Sequence, residues 1–259
     1  MAALVAQLDP SFFRDRSESD CIRENGAFCL DWALDNLDRY VTPTLEHLVL
    51  VVVSVALGFA LAFAMALFSH RRRWLVPPFL GLTGVLYTIP SLAFFFLLLP
   101  ITGRGADTAI IALTAYNLQI IYRNAMAGLA NVPADAKDAG RGMGMTERQL
   151  TWRVELPLAL PEIIAGVRIA TVSTVAIATL AVFAGGGGLG SELIAGSNIT
   201  FRTGVAIAGG IAIAMAIAFD LLLVLVQRWL VPWRLAVERR SREGARFASL
   251  VRRVRGAVP

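Results

Sequence analysis

The chain has 259 residues, of which 56% are hydrophobic and only 17% charged. This balance is too apolar for one or two ordinary soluble domains, in which about a quarter of the residues are charged. The net charge is +5, but the basic residues, all arginine except Lys137, cluster beside apolar blocks without interleaved aromatic residues, which excludes a nucleic-acid-binding surface and indicates membrane topology signals.

Residues 1–43 form a polar N-terminal segment with many acidic residues, and they lack the basic and apolar regions of a cleavable signal peptide. The only two cysteines, Cys21 and Cys29, lie here, so thiols alone cannot build a metal cluster. A disulfide between them is possible if the segment lies outside the cell, and the sequence leaves this open. Apolar residues interspersed around Asp31 and Asp35 allow either a short amphipathic helix on the outer surface or a solvated tether.

Five apolar blocks follow, each about long enough at 1.5 Å per residue to cross a hydrocarbon core of roughly 30 Å. Pro90 predicts a kink in the second block, because proline removes a backbone donor and crowds the preceding turn. Such a kink either lines a pathway or serves packing. The predicted spans cover about residues 44–68, 74–100, 107–129, 157–184 and 203–230.

The basic segments orient these spans. With five spans, the arginines at 71–73, the loop 131–156 and the tail 233–259 all fall on one side, which the positive-inside rule assigns to the cytoplasm. The sequence therefore predicts an all-α integral membrane protein with five transmembrane helices, its N-terminus outside and its C-terminus cytoplasmic. Residues 1–43 are then extracytoplasmic, residues 44–232 form the transmembrane domain, and residues 233–259 form a basic cytoplasmic tail that we expect to contact anionic lipid or a partner surface.

The loop between the third and fourth spans carries a specific motif. It contains an acidic-Ala-small element, a glycine, and an ending of the type aliphatic-X-Leu-Pro. This pattern resembles the loop by which permeases of ATP-binding-cassette (ABC) importers dock on their ATPase, although aspartate and glycine replace the usual glutamate and second alanine. An ordinary amphipathic loop is the alternative. The resemblance implies ATPase coupling by Asp138, Ala139, Gly140, Gly144, Met145, Thr146, Glu147, Leu156 and Pro157.

A glycine-rich run, Gly185, Gly186, Gly187, Gly188 and Gly190, follows the fourth span. It formally contains the dinucleotide-binding pattern GxGxxG, but an apolar helix precedes it where that pattern needs a strand. The run is instead similar to the outer turn of osmoprotectant permeases. Together with stretches in the second and fourth spans, the similarity covers about residues 44–232.

This resemblance implies the permease subunit of an ABC importer with the type I (MetI-like) fold, in the bacterial cytoplasmic membrane. Its partners would be two ATPase subunits, a second permease copy or paralogue, an extracytoplasmic solute-binding protein and membrane lipid, with no nucleic acid. ATP and Mg would bind the ATPase, so we expect no catalytic, metal or cofactor residues here. The implied cargo is a compatible solute such as glycine betaine, choline or carnitine. The alternatives are another small solute such as an amino acid, or an ion-coupled secondary transporter.

Polar residues within the apolar spans are candidates for the pathway, because each is costly in hydrocarbon unless it has a partner or faces a wet cavity. Hydrogen bonding between helices is the alternative for each of them. His47, beside Glu46, is expected at the membrane interface. The pathway candidates are Tyr87, Thr88, Pro90, Ser91, Tyr116, Asn117 and Gln119.

Arg168 and Asp220 are the charges deepest within the fourth and fifth spans, at similar distances from their cytoplasmic ends. Pairing would reduce the cost of each charge in the membrane. We therefore predict an intramembrane ion pair that acts as a gate or holds two helices together. Separate snorkelling of Arg168 and solvation of Asp220 are the alternative.

Overall fold

The structure is a computed structural model, which describes residues 28–232. Helices α1 to α5 cover Leu30–Asp35, Val41–Arg71, Val76–Thr88, Ser91–Thr102 and Ala106–Ala130. Helices α6 to α10 cover Ala134–Gly142, Glu147–Leu150, Leu156–Ala178, Leu189–Asn198 and Arg202–Leu230. Short 3-10 segments lie at Asp38–Tyr40, Arg73–Leu75 and Thr179–Ala184, and a π turn lies at Thr151–Glu155. No strand occurs in this range.

Three helical segments of the described chain are long and apolar enough to cross a membrane, and a bent pair raises the number to four if it counts as one span. They are Asp38–Arg71, Glu147–Ala184 and Arg202–Leu230, with the pair Arg73–Thr88 and Ser91–Thr102. Helix α5, the third predicted span, has 25 residues but is not apolar enough to be among them. The all-helical membrane class therefore holds, and the count of five stays a prediction.

Helix α5 owes its polarity to its position at the centre of the bundle. It packs most extensively against α2 and α8, and also against α3 and α4. It contributes residues to both clusters of the hydrophobic core, including the fully buried Leu113 and Tyr122. Because other helices surround α5, its polar side chains face protein partners and not lipid. The helix can therefore be less apolar than the other spans.

The second predicted span is broken at Pro90 rather than kinked. Helices α3 and α4 meet at 98°, and both Ile89 and Pro90 have extended backbone, with ψ of 127° and 132°. Proline disfavours helical geometry in the residue before it, and here α3 ends at Thr88, directly before Ile89. The sequence identified the site of the disruption but not its size.

The N-terminal segment is docked on the bundle from Phe28 onward, so the tether alternative is wrong for its described part. The Trp32 ring packs edge-on against Phe201 with centroids 4.7 Å apart, and Arg39 pairs with Glu192 at 2.7 Å. Cys29 is disulfide-bonded, and the only other cysteine lies outside the described residues. The basic tail 233–259 also lies outside them.

Candidate coupling and transport sites

The predicted coupling loop folds into two short helices joined by a tight turn. Helix α6 ends at Gly142, and Gly144 has φ of +77°, a left-handed conformation that favours glycine. Thr146 then caps α7 through a reciprocal capping box with Gln149, which satisfies backbone donors that the helix start leaves free. A Cβ on Gly144 would meet no atom within 4 Å, so within this chain the turn needs glycine for its backbone geometry alone.

Contacts between α6 and α7 hold this corner together. Arg141 bridges the two helices, with its Nε 3.3 Å from Glu147 and its Nη1 3.4 Å from Asp138, and the hydrogen bond to Glu147 raises the pKa of Arg141. Gly140 is buried, and a Cβ there would lie 2.6 Å from the Leu150 side chain. The small residue of the motif is therefore required by packing within the loop.

The outer surface of this corner is free for a partner. Asp138, Ala139, Thr146 and Glu147 are exposed, and Met143 at the tip is 70% exposed. An exposed apolar tip flanked by charged residues is typical of a protein-binding surface.

A polar cluster that the sequence did not predict lies behind the corner. Glu155, buried in the π turn, accepts a hydrogen bond from His70 Nε2 at 2.9 Å and lies 3.8 Å from Lys137 Nζ. His70 lies in the last turn of α2 and Lys137 lies on α6, so one carboxylate at the start of α8 connects the coupling helix α6 to α2 and α8. Residues 70 and 155 are too far apart in the chain for any local pattern to indicate this contact.

Helix α7, the π turn, α8 and the following 3-10 segment form one continuous helical segment, Glu147–Ala184. Leu156 is buried in the core, and Pro157 lies in the first turn of α8. A proline ring crowds the carbonyl four residues earlier, and that residue, Arg153, lies within the π turn. The wider π geometry accommodates the proline without ending the helix.

Arg168 and Asp220, the two charges predicted to pair, are in contact. The guanidinium is bidentate, since Nε donates to Oδ1 at 2.9 Å and Nη2 donates to Oδ2 at 3.0 Å. These two hydrogen bonds exclude separate snorkelling in this conformation, although the side chains are 30% and 37% exposed. The pair connects α8 to α10.

An open groove of about 620 Å³ runs along this pair. Its walls are apolar residues of α8 and α10, among them Ile169, Val172 and Ile217, and the pair provides its charges. Helix α10 has no buried residue in the most apolar part of its length. Much of the surface of α8 and α10 is thus available to lipid or protein.

The glycine-rich turn packs closely at the opposite end of the bundle from the coupling loop. Gly185, Gly187 and Gly188 have φ between +72° and +79°, and a Cβ on buried Gly186 or Gly190 would clash with neighbouring atoms. Five glycines are therefore required by backbone geometry or by packing.

The start of α2 fixes this turn. The backbone N–H of Gly188 donates to the Glu46 carboxylate at 2.8 Å. His47 is fully buried, with Nε2 3.1 Å from the Val175 carbonyl and Nδ1 without a partner among the described residues. His47 is therefore enclosed by protein, and its position at the membrane interface stays a prediction. Adjacent residues of α2 reach the same turn because the turn wraps around the helix end.

The structure divides the predicted pathway residues into two groups. Tyr116, Asn117 and Gln119 contact other helices: Tyr116 donates to the Ile89 carbonyl, Asn117 accepts from Thr174 at 2.8 Å, and Gln119 accepts from Thr83. Each of the three thus has a hydrogen-bond partner on another helix, while the buried Nδ2 of Asn117 has none among the described residues. Their place in a pathway stays a prediction.

The second group surrounds the break between α3 and α4. Tyr87, Thr88 and Pro90 are exposed and Ser91 is half-buried, so these four are still available to line a pathway. The rings of Tyr87 and Phe94 flank that of Tyr116, at 5.9 and 5.7 Å.

The described chain is thus a helical membrane bundle with a capped corner at one end and an ion-paired groove along its side. In the described part of the chain, no group of His, Cys, Asp and Glu could hold a metal ion.

The chain belongs to the family described as binding-protein-dependent transport system inner membrane component, whose profile matches residues 54–235. It is thus a non-enzymatic permease subunit of an ABC importer in the inner membrane, and ATP binding belongs to its partner ATPase.

Characterised relatives cover most of the chain. The choline transport system permease protein OpuBB of Bacillus subtilis is 35% identical over 73% of this chain and 87% of its own length. The osmoprotectant import permease protein OsmW of Salmonella typhimurium is 37% identical over 78% of this chain and 97% of its own.

Solved structures agree on the fold. The MetNI methionine ABC transporter in an inward-facing conformation matches with a TM-score of 0.62 at 21% identity, over 74% of this chain and 94% of that chain. An amino acid ABC transporter with histidines matches with a TM-score of 0.65 at 20% identity, over 77% and 98%.

Proposed function

We propose that this permease carries a compatible solute with a quaternary ammonium group, of the glycine betaine, choline or carnitine class. The observation that carries the proposal is the 35–37% identity to OpuBB and OsmW, which are named for choline and osmoprotectant transport. The carnitine transport permease protein OpuCD of Listeria monocytogenes, 35% identical over 72% of this chain, supports the same class.

The proposed topology has five spans, with α5 as the third and the broken pair α3–α4 as the second. Helix α5 has 25 residues, enough to cross the membrane while other helices shield its polar groups. The arginines at 71–73 and Lys137 lie at the coupling-loop end, which supports a cytoplasmic position for that end. The glycine-rich turn and the docked N-terminal segment then face outside.

The proposed transporter contains two permease chains, two ATPase subunits that bind ATP and Mg, and an external solute-binding protein. A third of each ion-pair side chain is exposed in the groove between α8 and α10, and such exposure is costly against lipid. That cost favours a groove that faces a second permease or a wet pathway. A two-fold pair would place ten spans around the path.

We propose that the corner of α6 and α7 docks in the ATPase and transmits its motion to the membrane helices. The exposed Met143 would enter the partner groove, and the Glu155 cluster would pass the displacement to α2 and α8. The ion pair Arg168–Asp220 would act as a gate or a helix lock in this movement, because it connects α10 to the helix that continues from the corner.

Uptake assays test the substrate class. The chain would be expressed with candidate ATPase and binding-protein subunits from the same genome, in a host without its own osmoprotectant importers. We expect ATP-dependent uptake of radiolabelled choline, glycine betaine or carnitine, and none with a hydrolysis-deficient ATPase. If the transporter takes up amino acids but none of these three solutes, the proposal is contradicted.

Labelling of single cysteines tests the topology separately. In a cysteine-free background, a membrane-impermeant maleimide applied to intact spheroplasts is expected to label Arg104→Cys at the outer end. It should label Gly142→Cys only after lysis, because that position lies in the coupling loop. The reverse pattern would contradict the proposed orientation without affecting the substrate class.

A further inference from the structure

A second cavity, separate from the groove of the ion pair, lies at the coupling-loop end of the bundle. It has a volume of about 500 Å³ and is bounded by the end of α2, the start of α3, the end of α5 and the coupling helix α6. Three basic residues line it, His70, Arg73 and Lys137. The rest of the wall is apolar and includes Val76 and Met126.

The basic residues of this cavity outnumber the carboxylates that pair with them. His70 and Lys137 share one carboxylate, that of Glu155. Arg73 is exposed and has no ion-pair or hydrogen-bond partner among residues 28–232. Arg71 and Arg72 precede it directly. The cavity therefore has a positive potential and at least one free guanidinium, which suits a phosphate group.

The position of the cavity favours a lipid as the source of that phosphate. Trp74, next to Arg73, is 72% exposed, and an exposed tryptophan beside an arginine cluster is typical of the membrane interface. A phosphate at the basic end would leave the acyl chains of a lipid beside the apolar wall of α3 and α5. A free phosphate ion would make no use of that wall.

We propose that this cavity binds the headgroup of an anionic phospholipid, with the phosphate between Arg73 and Lys137 and an acyl chain along Val76 and Met126. The phosphate competes with Glu155 for Lys137. Lipid binding therefore acts on the contact that joins the coupling helix to α2 and α8, and the charge of the membrane surface influences the position of that helix.

The experiment uses the assembled transporter in nanodiscs that contain a photoreactive phosphatidylglycerol, with photoreactive phosphatidylcholine as the reference lipid. In the unmodified protein we expect phosphatidylglycerol to label residues 73–77 and 126–137 far more than phosphatidylcholine does. The double variant Arg73→Gln, Lys137→Gln should weaken this labelling roughly thirtyfold, because each of the two removed charges contributes about 1 kcal/mol to the binding free energy. Labelling is compared only between preparations that insert and assemble equally.

The control is Arg72→Gln with Arg148→Gln, which removes the same charge from the same end of the bundle without altering the cavity lining. Equal losses in the two double variants would overturn the proposal, because they would show general attraction of lipid to a basic surface. Equal labelling by the two lipids in the unmodified protein would overturn it as well. Displacement of the lipid by inorganic phosphate would identify a free-anion site and reject the lipid, whereas resistance to phosphate supports it.

Discussion

Neutralising Asp220 while Arg168 remains is expected to destabilise the conformation described here. Charge centres about 4 Å apart attract by about 4 kcal/mol at an effective dielectric constant of 20. Both side chains are about a third exposed, so screening reduces this to roughly 2 kcal/mol. A change of that size alters the ratio of two transport conformations about thirtyfold. We therefore expect Asp220→Asn to lower solute uptake and to raise ATP hydrolysis in the absence of solute.

A double-mutant cycle isolates the pair from the effects of each side chain. Thermal unfolding in nanodiscs would be measured for Arg168→Gln, Asp220→Asn and the double variant, with a coupling energy of about 2 kcal/mol expected. Asp107→Asn and Arg228→Gln, exposed charges on α5 and α10, form the control cycle and should show no coupling. A coupling below about 0.5 kcal/mol for the pair, the usual limit of additivity, would refute the reasoning.

Three further substitutions test the coupling loop and the glycine-rich turn. Gly144→Asp should abolish uptake with normal insertion, because it strains a left-handed turn and puts a charge in the docking surface. The control is Gly142→Asp, which puts a charge in the same corner but keeps ordinary backbone geometry. Equal uptake by the two variants would contradict this prediction. Gly190→Ala should lower the free energy of unfolding by about 1–3 kcal/mol through overpacking. Gly210→Ala, where the added methyl meets open space, should not lower it. Thermal unfolding of the two variants tests this difference, and equal losses of stability would contradict it. Glu155→Gln should lower uptake per ATP hydrolysed, because the coupling helix loses its charged link to the bundle, and an unchanged ratio in proteoliposomes would contradict it.

Some of the site could be predicted from the sequence because it depends on local geometry. A regular helical rise was enough to place Arg168 and Asp220 at one level, and the structure has them in contact. The loop motif singled out Gly144, which lies in a left-handed turn. Neither inference needed knowledge of how distant segments pack.

The rest depends on long-range packing, which the sequence pattern does not contain. Pro90 indicates a disruption, but neighbouring helices decide whether it becomes a kink or a 98° break. The carboxylate of Glu46 reaches Gly188 across 142 residues, and Glu155 meets His70 across 85. Asn117 was a pathway candidate from its polarity, and only the position of Thr174 shows that it bonds to another helix.

The continuity of Glu147–Ala184 has a mechanical consequence. A segment of 38 residues is roughly 55 Å long at 1.5 Å per residue, so it can act as a rigid lever arm through the membrane. A tilt of about 5° about its inner end would carry its outer end through roughly 5 Å, comparable with one helical turn. The outer end is Ala184, directly before the glycine-rich turn that Glu46 holds against α2. A small rotation of the coupling corner can therefore displace the outer end of the segment far enough to break the contact between Glu46 and Gly188.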